Sequence, residues 1–391
     1  MRYPYISVYA PDEKDFSHNG LRILMPTSCE ITEVLKGEYS LTMNHPLDEW
    51  GNWKLLLELY IIKAQGQLFR IRRKTLTMSS DGKYAIKVDA MHISYDLNYY
   101  FIKDTRPTLL TGERALEWIT TPEHNEYQNI LNGNPRKQFT FSTDIKPAGQ
   151  LTADDLKTAY YEKMSVTKAL ISADNCFLNV WGGELYRDNF NFVINKRRGK
   201  DNAFSIRYGV DMIEIQQETD YSDSCSSIYY EATVINETIV DGERQRTETV
   251  VTGTASVSMP DMKGLPVPPM KCYSFEIDIK DIKCAGNIPT LEETRTACAE
   301  RAKEYLITNC QPSINYKIKF ADLKNYDMYK DFIGLQECGL GDTGTVYHEP
   351  LGISTVQQIV KKTINGITGE TISVELGNLR KSLTSELAKK R

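Results

Sequence analysis

Histidine is scarce in this chain of 391 residues. Its five histidines form no H-E-x-x-H, H-x-H or mixed Cys/His pair, so nothing in the sequence predicts a zinc hydrolase. Gly-x-Ser-x-Gly and Walker-type Gly-x-x-x-x-Gly-Lys motifs are missing too. These gaps argue against the common zinc-hydrolase, serine-hydrolase and P-loop classes of enzyme.

Cysteine pairs with zinc half-site spacing are also missing. The eight cysteines stand at positions 29, 176, 225, 272, 284, 298, 310 and 338. We expect them to be reduced and buried, because cytosolic cysteines mostly behave as small apolar side chains. Cys272 and Cys284 are predicted to flank a strand, Cys298 to lie mid-helix and Cys310 just past that helix.

Long apolar runs are missing as well. Residues 55–62 form one of the longest, but charge interrupts it and it is too short to span a bilayer. Residues 1–16 contain no apolar stretch of signal-peptide length. We therefore expect a protein made in a cytosol, without membrane anchoring. The net charge of −5 argues against nucleic-acid binding that depends on neutralising the phosphates.

A length of 391 residues predicts two to four domains. Linkers of low complexity and internal repeats are not found either, so we expect these domains to be closely joined. What the chain has in abundance is tyrosine, with 23 residues, and short alternating runs of β-branched residues. This composition is typical of a β-rich protein. Asp81-Gly82 and Asp241-Gly242 each separate two alternating runs, and each predicts a β-hairpin because both turn positions tolerate positive φ.

Helical patterns are few. Residues 112–120 predict a short helix, and residues 152–172 a second helical region with a break near Ser165, which could cap its second half. Thr290-Leu-Glu-Glu293 is a capping box that predicts a helix over residues 290–307. The last residues, 379–391, are typical of an amphipathic helix or a basic tail.

Each residue group that could carry chemistry has a simpler structural interpretation. Gly341-Asp-Thr-Gly344 contains the Asp-Thr-Gly of aspartic proteases, but it occurs once, and a turn entering a strand at residues 345–347 is favoured. His45 is predicted in a loop, and His348 as a structural residue near a turn. The carboxylate pairs Asp154-Asp155 and Glu292-Glu293 lie at predicted helix starts, where they favour the helix dipole.

A basic cluster, Lys196-Arg-Arg-Gly-Lys200, is predicted to be a solvated hairpin turn between strands at residues 190–195 and 203–208. Contact with an acidic partner or with passing DNA is the alternative. A cysteine nucleophile would need a histidine beside it in space, and no pair is singled out. We predict no catalytic, cofactor-binding or metal-binding residue.

Three blocks of sequence resemble a known family. They are Gly37-Glu-Tyr-Ser-Leu-Thr-Met-Asn-His-Pro46 with Gln67-Leu-Phe-Arg-Ile71, then Gly182 to Ile194 with Arg198-Gly-Lys-Asp201 and Ile206-Arg-Tyr-Gly209, and finally Leu340 to Val346 with Val374-Glu-Leu-Gly377. Their order along the chain is similar to that of the phage minor structural proteins, also called prophage tail endopeptidase-type proteins.

The resemblance implies a baseplate hub or tail-tip protein of α+β, β-rich fold, with two β-barrel-like tube domains joined by smaller α/β segments. It implies a homotrimeric ring that continues the tail tube and lets DNA pass transiently through its lumen. The implied partners are the tail tube or distal tail protein, the tape measure protein and a spike or fibre protein. The implied location is the tail tip of a virion or tail-like particle, assembled in the host cytoplasm.

Four segments are expected from this resemblance and from the predicted elements. They are an N-terminal β-barrel-like domain (1–95), an α+β domain (96–180), a hairpin region (181–270) and a second β-barrel-like domain (271–391). In the family, peptidoglycan cleavage belongs to an appended C-terminal domain, which we expect this chain to lack, so we expect no enzyme.

Two other functions remain open. The chain could be a tail-associated peptidoglycan endopeptidase, although no activated nucleophile is recognisable. It could also be a receptor- or carbohydrate-binding tail module, with the tyrosines of residues 95–100 and Tyr160-Tyr161 stacking on sugars, although such tyrosines more often line an interface or the rim of a core.

Overall fold

The computed structural model describes residues 5–78, 82, 84–124, 127–147, 149–151, 155–208, 212–222, 224–240, 243–257, 271–279, 282, 289–310, 313–320, 338–351 and 353–377. The chain divides into two compact units. Unit 1 comprises Met1–Gln217 with Asn315–Arg391, and unit 2 comprises Glu218–Ile314.

The N-terminal part of unit 1 is a curved set of seven strands. They are β1 (Ile6–Tyr9), β2 (Arg22–Leu24), β3 (Ser28–Val34), β4 (Tyr39–Pro46), β5 (Ile61–Ala64), β6 (Gln67–Met78) and β7 (Tyr84–His92). Side chains along β4 alternate between buried and half-buried, as expected for a strand with one face on the core. Strands from both ends of the set, such as β2 and β3, contribute to one apolar core, so the sheet bends around it.

The C-terminal part of unit 1 adds strands to the same sheet. They are β16 (Phe204–Arg207), β17 (Met212–Asp220), β21 (Ser313–Phe320), β22 (Thr343–His348), β23 (Ile353–Asn365) and β24 (Thr371–Gly377). The full sheet has 13 strands in the order β17-β21-β24-β23-β3-β4-β7-β6-β5-β1-β2, with β22 on β23 and β16 on β22. A second core lies on its C-terminal strands.

The segment between these two parts forms small sheets and short helices around its own core. One three-stranded sheet contains β8 (Phe101–Thr105), β11 (Ile130–Leu131) and β13 (Tyr161–Ser165), and another contains β12 (Thr140–Thr143), β14 (Glu184–Asp188) and β15 (Asn191–Asn195). β9 (Glu123–His124) and β10 (Tyr127–Gln128) pair with each other. The helices are α1 (Gly112–Thr120), α2 (Phe177–Val180) and a π-helical turn at Lys168–Ser172.

Unit 2 is a three-stranded sheet covered on one face by a helix. Its strands are β18 (Ser227–Val240), β19 (Glu243–Ser256) and β20 (Lys271–Asp278), and its helix is α3 (Leu291–Asn309). The helix starts at the predicted capping box, in which Thr290 and Glu293 exchange hydrogen bonds. Cys298, Ala302 and Leu306 face the sheet and are fully buried.

Several predictions are confirmed. The fold is β-rich with few helices, and α1 has the predicted bounds. α3 begins after the predicted cap residue Thr290 and ends two residues later than predicted. Both Asp-Gly hairpins exist, as β6–β7 and β18–β19. Ser165 caps the turn that follows it, because its Oγ accepts a hydrogen bond of 3.3 Å from the Lys168 N–H.

Other predictions are wrong. In the helical region predicted over residues 152–172, the first half is wrong because residues 161–165 form strand β13, whereas the second half is helical after Ser165. Among the described strands no sheet closes into a barrel, so the two β-barrel-like domains are not confirmed. The C-terminal segment 379–391 lies outside the described residues, and the four predicted segment boundaries stay a prediction.

Gln67 and Leu68, at the start of β6, hold the turn between β14 and β15. Gln67 donates from Nε2 to Asp188 Oδ1 (2.9 Å) and accepts at Oε1 from the Asn189 N–H (3.1 Å). The Leu68 N–H donates to Asn189 Oδ1 (2.9 Å). These bonds fix the small middle sheet against the N-terminal strands within unit 1.

The same glutamine orients a buried histidine. His92 Nε2 lies 3.1 Å from Gln67 Oε1, and Nδ1 accepts from the Ser94 N–H at 3.2 Å, so the neutral ring carries its proton on Nε2. The ring stacks on Tyr39 at 4.3 Å. Burial, together with the nearby Arg187 guanidinium, lowers the pKa of His92 well below its ordinary value.

Acid should therefore destabilise unit 1 through His92. The folded state keeps the ring neutral while the unfolded chain binds a proton below about pH 6.5, so the free energy of unfolding falls as pH falls. Between pH 7.5 and pH 5.5 we expect this histidine to contribute a loss of about 1 kcal/mol, and at most ~1.4 kcal/mol per pH unit below pH 6.5.

Urea denaturation of the wild type, of His92→Gln and of the control His18→Gln at the two pH values measures this loss. The His92→Gln variant should show a flatter pH dependence, whereas the variant of the exposed His18 should keep that of the wild type. Equal pH dependence in all three proteins would contradict the assignment.

Candidate functional site

β23 is hydrogen-bonded both to β22, which directly precedes it in the chain, and to β3 from the N-terminal part. β22 pairs with residues 353–358 and β3 with residues 361–365. Between these stretches the backbone of Ile359 exchanges hydrogen bonds with Gly341 (2.9 Å) and Asp342 (2.8 Å). β23 therefore joins the N-terminal strands to the C-terminal ones.

Arg198 lies at the point where the partner of β23 changes. Its guanidinium donates from Nη1 to Glu33 Oε1 (2.8 Å) and from Nη2 to Glu33 Oε2 (3.2 Å), a bidentate pair between side chains that are each 15% exposed. Nη1 also donates to the Leu185 carbonyl at 2.9 Å. The guanidinium packs over the ring of Tyr186. One side chain thus connects β3 with β14.

Glu184 and Gln358 extend this network to β23. Glu184 Oε2 accepts from the Arg198 N–H (2.6 Å), and its Oε1 accepts from Gln358 Nε2 (2.9 Å). Gln358 Nε2 also donates to the Gly341 carbonyl (3.0 Å). We call Glu33, Glu184, Arg198, Asp342 and Gln358 the Arg198 junction.

Asp342 completes the junction as a structural carboxylate. Its Oδ1 accepts from the Lys200 N–H (2.6 Å) and its Oδ2 from the Gly339 N–H (2.7 Å). Both oxygens of this buried side chain are thereby engaged in closing turns. The prediction that Gly341-Asp-Thr-Gly344 is a turn entering a strand is confirmed, since β22 starts at Thr343.

Two glycines make the close approach in the junction feasible. Gly199 and Gly341 both have φ of +92°, a conformation that favours glycine. A Cβ on Gly341 would lie 2.3 Å from the Arg198 carbonyl oxygen, and one on Gly199 would lie 2.3 Å from the Gly341 carbonyl carbon. The two backbones are therefore in direct contact, with no room for a larger residue at either position.

The predicted hairpin around residues 196–200 is wrong. β15 pairs with β12 and β14, whereas β16 pairs in parallel with β22. The basic segment is a crossover from one sheet to another, and its Arg198 is held by Glu33 instead of being solvated. A parallel partner more than a hundred residues away in sequence has no local signal, which is why the hairpin interpretation failed.

The histidines singled out in the sequence are structural. His45 was predicted in a loop, but it lies in β4 and is fully buried, where its Nε2 accepts from the Met25 N–H (3.3 Å). His348 ends β22 and packs against Tyr208, with 4.3 Å between ring centroids. No group of His, Cys, Asp and Glu in the described parts of the chain is arranged to hold a metal ion.

Most described cysteines are buried, as expected, and the exception is Cys272 in β20. Cys272 thus lies inside the strand it was predicted to flank, and Cys284 is outside the described residues. Cys298 and Cys310 have the predicted places in α3 and at its end. Burial raises the pKa of Cys29 to about 12 and raises that of Cys298 as well, so these thiols are poor nucleophiles.

The tyrosines considered for sugar stacking are largely engaged. The Tyr95 hydroxyl donates to the Gly37 carbonyl (3.1 Å), the Tyr100 hydroxyl to Gln138 (3.0 Å), and Tyr161 is fully buried. Tyr99 is exposed, but its hydroxyl accepts from Arg72 (2.6 Å). Tyr160 is 37% exposed, and its hydroxyl donates to Glu162 Oε2 (3.0 Å).

We expect Arg198→Ala to lower the free energy of unfolding of unit 1 by about 3 kcal/mol, because it leaves the carboxylate of Glu33 without its partner in a largely buried site. The neighbouring Arg197→Ala is a matched control: its ion pair with Asp201 is exposed and should contribute about 0.5 kcal/mol or less. Urea denaturation measures both. Equal losses would show that the junction does not hold the sheet together.

Comparison with known proteins shows similarity to phage tail proteins. Residues 292–387 match the family described as prophage endopeptidase tail. A search of curated proteins found no match.

Solved structures of similar fold cover almost the whole chain. The prophage tail protein gp18 from Listeria monocytogenes EGD-e superposes with a TM-score of 0.53 at 19% identity, covering 99% of this chain and 98% of its own. The tail protein from Neisseria meningitidis MC58 has a TM-score of 0.53 at 10% identity, with 96% of each chain covered.

The 43 kDa tail protein of prophage MuSo2 from Shewanella oneidensis has a TM-score of 0.53 at 8% identity, covering 95% of this chain and 98% of its own. At these identities the likeness establishes the fold. The resemblance seen in the sequence is therefore confirmed: this chain matches the prophage endopeptidase tail family over residues 292–387 and has the fold of prophage tail proteins over nearly its whole length.

Proposed function

We propose that this protein is a structural hub of a tail tip or baseplate, in a phage or a phage-tail-like particle. Three copies form a ring that continues the tail tube and connects it to a spike or fibres. The observation that carries this proposal is the fold, which is shared with three tail proteins, two of them from prophages, over at least 95% of the chain.

The open sheets of unit 1 support an assembling role. Within the described residues, β2 pairs with β1 alone and β16 with β22 alone, so each leaves one strand edge without a partner. Exposed strand edges promote aggregation unless another chain or element covers them. A closed ring of identical copies can cover such edges.

A structural role also accounts for the polar groups of unit 1. The Arg198 junction uses its charges to join strands, and both oxygens of Asp342 accept backbone hydrogen bonds. A catalytic aspartate dyad needs a carboxylate that can share and exchange a proton. We therefore propose that the hub is not an enzyme.

The word endopeptidase in the family's description favours one alternative, a tail-associated enzyme that cleaves peptidoglycan. The matched segment contains α3 and β21 to β24, and its buried carboxylate among the described residues, Asp342, belongs to the junction. A receptor- or carbohydrate-binding module is the other alternative, which the engaged tyrosines do not favour.

The proposed partners follow from a position at the end of a tail tube. They are the tail tube or distal tail protein, the tape measure protein and a spike or fibre protein, and DNA would pass through the lumen of the ring. The protein would be assembled in the bacterial cytoplasm without membrane anchoring. Among the described residues, no helix is both long and apolar enough to span a bilayer.

Purified protein, alone and mixed with the tail tube protein of the same particle, tests the proposal. We expect mass photometry to show a species of three chains and cryo-electron microscopy to show a ring whose central opening is coaxial with the tube. A monomer under both conditions would contradict the proposed ring.

A zymogram on bacterial cell walls tests the enzymatic alternative in the same preparation. We expect no clearing. Clearing that persists through purification and is lost on substituting one residue of this chain would replace the structural proposal by the peptidase.

A further inference from the structure

The outer part of β6, residues 73–78, is an edge of the N-terminal sheet that is paired on one side only among the described strands. β5 pairs with β6 over residues 67–70, and Ile71 is bonded to Tyr60. Beyond this point, among the described residues, β7 is the one strand that pairs with residues 73–78. We call residues 73–78 and 84–87, all of which are described, the ribbon; its β7 strand is also paired with β4 over residues 85–91.

One face of the ribbon is apolar and exposed. Leu76 is opposite Ile86, and Met78 is opposite Tyr84. Leu76, Met78 and Tyr84 are 59%, 63% and 50% exposed, although Ile86 on the same face is buried in the N-terminal core. The face that packs on the N-terminal core at Ile86 therefore continues toward the turn with three exposed apolar side chains.

The opposite face of the ribbon is polar. Arg73 is opposite Asp89 and forms an ion pair with it (2.7 Å), and Thr75 is opposite Lys87. The exposed apolar face is a typical docking surface.

We propose that the apolar face of the ribbon packs on a second copy of this chain, against the face of the unit 2 sheet that is opposite α3. This inference rests on the proposed ring and names the surfaces that would close it.

The receiving surface is defined by strand alternation in unit 2. Even-numbered residues of β18, from Ile228 to Val234, are buried on the α3 side, so Tyr229 and Glu231 face the other way. Glu231 is opposite Thr252 of β19 and beside Ser274 of β20. No described element of unit 2 covers this face.

The receiving face carries exposed apolar groups among acidic ones. Tyr229 and Val250 are 39% and 58% exposed. Glu231 and Glu276 are exposed on the same face, and Cys272 lies beside Tyr229. The face thus offers both apolar area and negative charge to an incoming strand pair.

Charge favours a second copy as the occupant. Unit 2 contains 9 Lys and Arg against 16 Asp and Glu, a net charge of −7, whereas unit 1 has 38 against 36, a net charge of +2. On the ribbon, Lys74 lies on the apolar face, two residues before Leu76. Lys74 can therefore meet Glu231 or Glu276 while Leu76 and Met78 cover Tyr229 and Val250.

The two surfaces differ, so the contact is head to tail. A head-to-tail contact repeated by a rotation closes a ring, whereas a contact between two identical patches stops at a dimer. The proposed contact therefore gives the symmetry that a ring around a tail tube requires.

Charge substitutions on the ribbon test the inference in the full-length protein. We expect Leu76→Glu and Met78→Glu to reduce the fraction of ring at least tenfold in mass photometry, without lowering the melting temperature of the dissociated chain. Thr75→Glu, on the opposite face of the same ribbon, is the matched control and should leave the ring intact. Intact rings with both apolar-face variants would overturn the inference.

Cross-linking tests which surface receives the ribbon. One tagged copy carries Met78→Cys with Cys272→Ser, and the other keeps its native Cys272. After co-expression and treatment with a short bismaleimide, we expect a band of two chains whose linked peptides, identified by mass spectrometry, contain positions 78 and 272. The band should disappear when both copies carry Cys272→Ser.

The outcomes separate the inference from the proposed function. A wild-type ring that gives no link between positions 78 and 272 would overturn the inference and leave the hub proposal standing. A wild-type protein that is monomeric, with or without the tube protein, would overturn both.

Discussion

The continuous pairing along one edge of β23 is the constraint on which the organisation of unit 1 depends. A single strand of 13 residues is bonded first to β22, then to the turn at Gly341 and Asp342, and finally to β3. Side chains alternate along a strand, so a shift by one residue would turn Ile359 from the C-terminal core to the opposite face. The register of β23 thus determines both cores at once.

The Arg198 junction explains how this register is held. A strand that changes partner midway leaves a gap between the two partners, where backbone groups would lack hydrogen bonds. Glu184, Gln358 and Asp342 supply those bonds, and Arg198 offsets the charge of Glu33 beside them. Buried charges are costly unless each has its partner, so the junction is stable as a complete set.

Local signals predicted local structure well. The capping box at Thr290 marks the start of α3, and the two Asp-Gly pairs mark hairpins, because in each case neighbouring residues supply the hydrogen bonds or the backbone conformation. The same reasoning failed for residues 161–165. Their short apolar spacing fits a helix or a strand, and pairing with β8, some sixty residues earlier, decided the outcome.

The Arg198 junction was out of reach of the sequence for a related reason. Its two motifs, around Arg198 and around Asp342, were each recognised as turns, and one was assigned to a hairpin. What makes them a unit is a contact between Gly199 and Gly341, and parallel pairing of β16 with β22. Such contacts join segments more than a hundred residues apart, and no periodicity in a single sequence reports them. The resemblance predicted the β-rich fold, whereas the two β-barrel-like domains that it implied are not confirmed among the described strands.

The distribution of polar and apolar groups in unit 1 has a consequence for assembly. The charged groups of the Arg198 junction are hydrogen-bonded within the chain, whereas apolar side chains of the ribbon, at Leu76, Met78 and Tyr84, are exposed. Another surface that covers those side chains would remove apolar area from water, which lowers the free energy. In the proposed ring each copy gives one ribbon and receives one, so closure covers every ribbon. A partner that binds only the folded state stabilises that state. A neighbouring copy would act in this way on the ribbon, so closing the ring would stabilise the folded ribbon.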